Sequence, residues 1–124
     1  MRTFASVGEV VSEIPPDHPL HVFREHSLKK AANFFLNNFK GKVCYAVKTN
    51  PADYVIRAVI ASGINSFDVA SLEEIKLVYG IAPDAKLHFM HTIKSRAAIR
   101  EAYFTYGIRH FSLDSHQELH KIVE

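Results

Sequence analysis

The sequence predicts an α/β fold of parallel strands joined by helices: about four βα units of a (β/α)8 TIM-type barrel, truncated before closure. Three observations carry this. Glycines placed to stop helices recur, with Gly41 and Gly63 22 residues apart, Gly107 a further 44 on, and Ala85 where the intervening glycine would fall. Short β-branched or aromatic runs alternate with stretches whose apolar residues return every three or four positions. The chain has 124 residues, whereas a closed barrel takes about 200 or more. Strict strand-helix repetition from one end favours the barrel over a doubly wound sheet.

Residues 1–18 read as an N-terminal arm, and residues 19–124 as the amino-terminal part of the barrel. Val10, Val11 and Ile14 stand among polar residues and are followed by Pro15-Pro16, which suits an arm or a lone edge segment. Leu20 to Phe23 has the composition of a short strand. From Arg24 to Phe39, Leu28, Ala31, Ala32, Phe35, Leu36 and Phe39 form one helical stripe, with Gly41 as the stop. A strand over 43–48 follows. Asn50 is placed to cap, and Pro51 to occupy the first position of a helix running to Ser62 and closed by Gly63. Next come a strand over 65–70 and a helix opened by Ser71 and Glu74 at capping-box spacing, ending near Gly80 and Pro83. The third unit is a strand over 86–91 and a helix from Ser95 with Ile99, Ala102, Tyr103 and Tyr106 on its stripe and Gly107 as its stop. The fourth is a strand over 109–113 and a helix opened by Ser115 and Glu118, again at capping-box spacing.

Composition narrows the function. Hydrophobic residues make up 48% of the chain, enough for a core, and 15 basic residues against 13 acidic ones leave a net charge of +2 without a basic stripe or an acidic tail, so a nucleic-acid partner is not indicated. Cys44 is the lone cysteine, no apolar stretch approaches the ~20 residues of a membrane span, and no signal-like segment opens the chain, so a cytoplasmic protein is expected. His116 and His120 are four apart on a helix, but the acid between them is Glu118 and not the residue that a zinc-hydrolase motif requires, so no metal is expected.

The strands carry two phases. Val43, Tyr45, Val47, Phe67, Val69, Leu87, Phe89, Phe111 and Leu113 form an apolar phase for the helices, whereas Lys48, Ser66, Asp68, His88, His110, Ser112 and Asp114 share the other. Parallel strands covered on both faces would be apolar throughout. In a barrel the second phase faces the interior and its carboxyl-end rim, where chemistry is placed; a sheet uncovered on one side would give the same pattern.

Lys48 ends its strand at that rim, on the phase it shares with Cys44 and Ala46. A lysine so placed is either a solvated turn residue or, when partly desolvated, an amine able to form a Schiff base with a carbonyl compound. The stretch Tyr45-Ala46-Val47-Lys48-Thr49-Asn50 resembles the lysine motif of the fold-type III pyridoxal-phosphate enzymes, the ornithine and diaminopimelate decarboxylase family, which reads Tyr-Ala-Val-Lys-x-Asn. Phe67-Asp68-Val69-Ala70-Ser71 with Glu74-Ile75 is similar to the family's next segment and nearest its ornithine branch. Lys94 within His91-Thr92-Ile93-Lys94-Ser95, and Phe111-Ser112-Leu113-Asp114-Ser115 with Glu118-Leu119, fall where similar patterns occur. The resemblance extends from about Pro19 onward.

The resemblance implies a pyridoxal 5'-phosphate-dependent decarboxylase that converts ornithine or lysine to a diamine and serves polyamine biosynthesis. Lys48 would hold the cofactor beside the small Ala46, and Asp68 would act with Lys48 in catalysis. Glu74 and His110 would support them, although capping competes for Glu74. It implies a homodimer whose sites are completed across subunits, with the present chain an N-terminal fragment inactive alone. A racemase or diaminopimelate decarboxylase using the same lysine, and a non-catalytic relative that binds the cofactor or a partner, are the alternatives.

Overall fold

The computed structural model describes residues 2–14 and 17–124. Three parallel strands stand side by side in chain order: β1 (Tyr45–Ala46), β2 (Ser66–Val69) and β3 (Lys86–Phe89). Tyr45 pairs with Phe67 and Ala46 with Asp68; Ser66 to Val69 pair with Lys86 to Phe89. The fourth strand expected over 109–113 is reduced to one parallel bridge between Phe89 and Phe111. There the Phe89 N–H donates to the His110 carbonyl at 2.9 Å and the Ser112 N–H to the Phe89 carbonyl at 3.1 Å. Each strand thus lies beside its predecessor, as a barrel wall requires, whereas a doubly wound sheet reverses its order at a switch point.

Helices follow the strands in turn. They are α1 (Val7–Glu13) and α2 (Glu25–Asn38) before β1, then α3 (Asp53–Ala61), α4 (Leu72–Ile81), α5 (Arg96–Phe104) and α6 (His116–Val123). From α2 to α6 each packs on the next. The core lies between this layer and the apolar strand phase. Val47, Ile56, Phe67, Val69, Ile75, Val78 and Ala102 are fully enclosed there, and each large side chain so buried contributes roughly 1.5–3 kcal/mol. Leu113, assigned to the same phase, is 45% exposed because its segment does not continue the ladder.

Caps set most boundaries. Ser71, Ser95 and Ser115 each accept the N–H three residues on, at 3.1–3.2 Å. Gly63 and Gly107 end their helices at φ +94° and +67°, where a side chain would be strained. Gly41 has no such φ; α2 stops at Phe39, whose N–H returns to the Phe35 carbonyl at 2.9 Å. Nor does α3 begin at Pro51. Asn50 folds an Asx turn instead, its Oδ1 accepting the Ala52 N–H at 3.2 Å, and the helix opens at Asp53.

Three further expectations need correction. The arm contains helix α1, because Ser6 and Glu9 have capping-box spacing: Ser6 Oγ accepts the Glu9 N–H at 3.1 Å and the Glu9 carboxylate accepts the Ala5 N–H at 2.6 Å. Pro15 and Pro16, used in reading that arm, lie outside the described residues. Leu20 to Phe23 is not a strand, having no ladder partner among the described residues; Phe23 packs edge-on to Tyr54 with ring centroids 5.0 Å apart. On α2 only Ala32 is fully buried, and Phe35, Leu36 and Phe39 are largely exposed, so the stripe is covered only where α3 lies against it.

Truncating Phe67 in the central strand removes a fully enclosed ring, so Phe67→Ala should lower unfolding stability by about 3–5 kcal/mol in denaturant titration. Leu113→Ala should change it by less than about 1 kcal/mol. Equal losses would contradict the core described above.

Candidate active site

The strand expected over 43–48 is cut to two residues because Val47–Thr49 winds into a 3-10 turn, closed by the Asn50 N–H on the Val47 carbonyl at 3.1 Å. Lys48 lies on that turn, immediately beyond the carboxyl end of β1. The turn is anchored at several points. Val47 is wholly buried, and the Tyr45 hydroxyl donates to the Asn50 carbonyl at 3.1 Å; partial burial pushes the Tyr45 phenol up from its ordinary pKa. The Lys48 side chain is exposed and makes neither a hydrogen bond nor an ion pair among the described residues. Its ammonium is therefore available on a fixed backbone.

Asp68 is in register with Ala46, one strand over and two residues short of Lys48 along β1. The structure brings the two near in register but forms no ion pair between them among the described residues. Glu74 is committed elsewhere: its carboxylate accepts the Ala70 N–H at 2.7 Å while its own N–H donates to Ser71, the reciprocal capping arrangement.

Below this rim a polar row crosses the strands at the 22-residue period. Cys44 donates through its thiol to Ser66 Oγ at 3.3 Å, and Ser66 Oγ bonds His88 Nε2 at 2.8 Å. His88 stacks on His110 with ring centroids 4.8 Å apart. Burial is the main cause that pushes His88 below the ordinary histidine pKa, with the charges of His110 and Lys42 acting the same way and Asp68 opposing. His110, expected in support, thus acts on His88. Ser66 and His88 had no assigned role in the sequence reading, though the interval joining 44, 66, 88 and 110 marks them.

A second polar cluster lies at the carboxyl ends of β3 and the fourth segment. Lys94 and Glu118 pair at 2.8 Å with their side chains 0% and 3% exposed. Lys94 Nζ also donates to the carbonyls of His91 at 2.9 Å and Ser112 at 2.6 Å, while Glu118 accepts the Lys94 N–H at 3.0 Å and pairs with Lys121. The Ser112 hydroxyl is buried without a hydrogen-bond partner among the described residues. Capping-box spacing read Glu118 only half correctly: its N–H reaches Ser115, but its carboxylate turns to the two lysines.

Compared with known proteins, residues 24–124 match the family model described as the pyridoxal-dependent decarboxylase, pyridoxal binding domain. This chain belongs to the pyridoxal-dependent decarboxylase family. Solved structures of similar fold include the Vibrio vulnificus lysine/ornithine decarboxylase complexed with putrescine, 29% identical with a TM-score of 0.77 over 94% of this chain and 33% of that one. The Entamoeba histolytica ornithine decarboxylase is 32% identical, with a TM-score of 0.75 over 91% of this chain and 36% of that one. The Paramecium bursaria Chlorella virus arginine decarboxylase bound to agmatine is 27% identical, with a TM-score of 0.81 over 94% and 31%. The chain therefore spans about a third of the length of these structures. No curated protein sequence matches significantly. The amino-terminal part of a decarboxylase barrel is the fold, and the family's cofactor is pyridoxal phosphate.

The residues present fit that cofactor. A primary amine that no described residue engages, on an anchored turn at the carboxyl end of a parallel strand and near the small Ala46, is a nucleophile suited to a carbonyl ligand. Among the described residues no three His, Cys, Asp or Glu side chains are grouped to hold a metal ion, and no helix is long and apolar enough to cross a membrane.

Two acid-side effects follow from these clusters. Burial raises the Glu118 carboxyl, but hydrogen bonds and charges from Lys121 and Lys94 outweigh it and hold the group at about 2, against an ordinary 4.5. A carboxyl depressed by folding stabilises above its unfolded pKa and loses that contribution as pH falls, here between about 4.5 and about 2. Wild type should lose stability across that window more steeply than Glu118→Gln in pH-dependent denaturation. His88, also depressed, binds its proton less readily folded than unfolded, so acidification below its ordinary 6.5 should destabilise wild type but not His88→Asn through this residue. Parallel pH profiles for wild type and both variants would refute these assignments.

Proposed function

We propose that this chain supplies the cofactor lysine of a pyridoxal-phosphate-dependent decarboxylase that converts ornithine or lysine to a diamine, for polyamine biosynthesis. The reading is supported chiefly by Lys48, an amine without a partner among the described residues, on an anchored turn inside a region that matches a pyridoxal-binding domain. Bound pyridoxal phosphate supplies an electron sink for the pair left when the substrate's carboxylate departs as carbon dioxide. Lys48 would hold the cofactor by bonding its carbonyl carbon through Nζ, the nucleophilic atom of the side chain. Asp68, in register with Ala46 one strand over, would contribute a negative charge on the Lys48 side of the rim. Ala46 leaves room beside the lysine, and the His88–His110 stack forms a floor under the rim. Glu74 serves by holding the start of α4. The basic-substrate choice draws on the solved relatives, whose names specify lysine, ornithine and arginine decarboxylases. The working enzyme is proposed to be a cytoplasmic homodimer.

The test uses full-length protein containing this chain. Lys48→Arg should abolish the visible absorbance of bound cofactor and all carbon dioxide release, with unchanged circular dichroism, because arginine keeps the charge but cannot give up its proton. Retained absorbance in that variant would sink the assignment. Ornithine or lysine should release carbon dioxide well before meso-diaminopimelate, and the reverse order would overturn the substrate choice.

A further inference from the structure

The Lys94–Glu118 cluster takes no part in the function proposed above, and its construction is unusual. A lysine with a fully buried side chain is expensive unless every donor is used, and here all three are: His91 and Ser112 carbonyls and Glu118 Oε1 surround Nζ. Glu118 in turn accepts from the Lys94 side chain, the Lys94 N–H and Lys121, and Lys121 also donates to the Lys94 carbonyl. These bonds tie three separate pieces together: the turn after β3, the segment bridged to β3, and α6. All three lie at the carboxyl ends of the strands, the end that carries Lys48.

A buried ion pair adds little net stability over apolar residues of similar volume, but breaking one partner leaves an uncompensated charge. What such a pair adds is a single geometry. The fourth segment has only one ladder bridge to β3, so its ladder alone fixes it weakly, and the Lys94 bond to the Ser112 carbonyl supplies a second attachment. The buried Ser112 hydroxyl, without a partner among the described residues, is held in the same stretch, where a bound polar group could satisfy it.

We propose that Lys94 and Glu118 are positioning residues that clasp the turn after β3, the fourth segment and α6 into one rigid rim, and so fix the wall of the site that closes on the bound cofactor. The clasp itself stands on the geometry above; what the rim holds rests on the pyridoxal-dependent reading.

The experiment compares Lys94→Met, Glu118→Gln and a control, Lys76→Met, in full-length holoprotein. Lys76→Met also removes one positive charge, but from the exposed pair with Glu101. Amide hydrogen exchange is read over residues 89–96 and 110–118 against α3, and cofactor retention is read by dialysis and absorbance. Lys94→Met should speed exchange in those two stretches while sparing α3, and weaken cofactor retention by about tenfold or more, the size of effect that outer supporting residues have at other bound groups. Glu118→Gln should act on the same stretches, and Lys76→Met on neither readout. Uniformly faster exchange with unchanged retention would show a merely structural pair and overturn the proposal. If Lys94→Met does not fold, Glu118→Gln is judged by the same two criteria. If wild type holds no pyridoxal phosphate at Lys48, the functional reading and the cofactor half of this proposal fail together, whereas the exchange pattern still decides the clasp.

Discussion

Parallel pairing of short strands, each covered on one face by the helix that follows it, is the constraint on which the other features depend. It divides the side chains by parity. Val47, Phe67, Val69, Leu87 and Phe89 enter the helix-facing core, so their neighbours in sequence are turned to the opposite phase. Polar and titratable groups gather there because burying them among the helices would leave them unpaired. The same pairing aligns every strand's carboxyl end. Residues far apart in sequence, such as Lys48, Lys94 and Ser112, therefore belong to one rim.

Rigidity at that rim is built differently from place to place. Around Lys48 it is local: a 3-10 turn, a tyrosine hydroxyl on the Asn50 carbonyl and an Asx turn fix the backbone, and no described residue engages the amine. At the far side it is long-range, through a buried charge pair joining residues 24 apart. The difference follows from the strands. β1 and β2 share a regular ladder, whereas the fourth segment has a single bridge and relies on side chains for its attachment.

The sequence made legible whatever depends on periodicity and caps. The 22-residue interval, the serine caps at Ser71 and Ser115, the helix start at Ser95 and the glycine stops at Gly63 and Gly107 are all found in place. Ser6 and Glu9 carry the same spacing, but the helix they open is short, with Val10 its one buried residue, so apolar periodicity does not mark it. Strand ends were less legible, since a ladder ends where its partner ends, and no residue in 43–48 signals that β1 stops at Ala46. Lys94 and Glu118 were recognised as motif positions, but their burial was not foreseeable: lysine and glutamate are ordinarily exposed, and only the folded chain sets the His91 and Ser112 carbonyls around one ammonium. Asp68 shows the reverse case, correctly placed by strand phase yet not joined to Lys48 in the folded chain.

The central claim is that Lys48, and no other lysine, carries the cofactor. Borohydride reduction of the full-length protein with pyridoxal phosphate, followed by peptide mapping, bears on it most directly. A pyridoxyl group on the peptide containing Val47 to Asn50 is the expected result, and a label at Lys42, Lys76 or Lys94 in its place would contradict it.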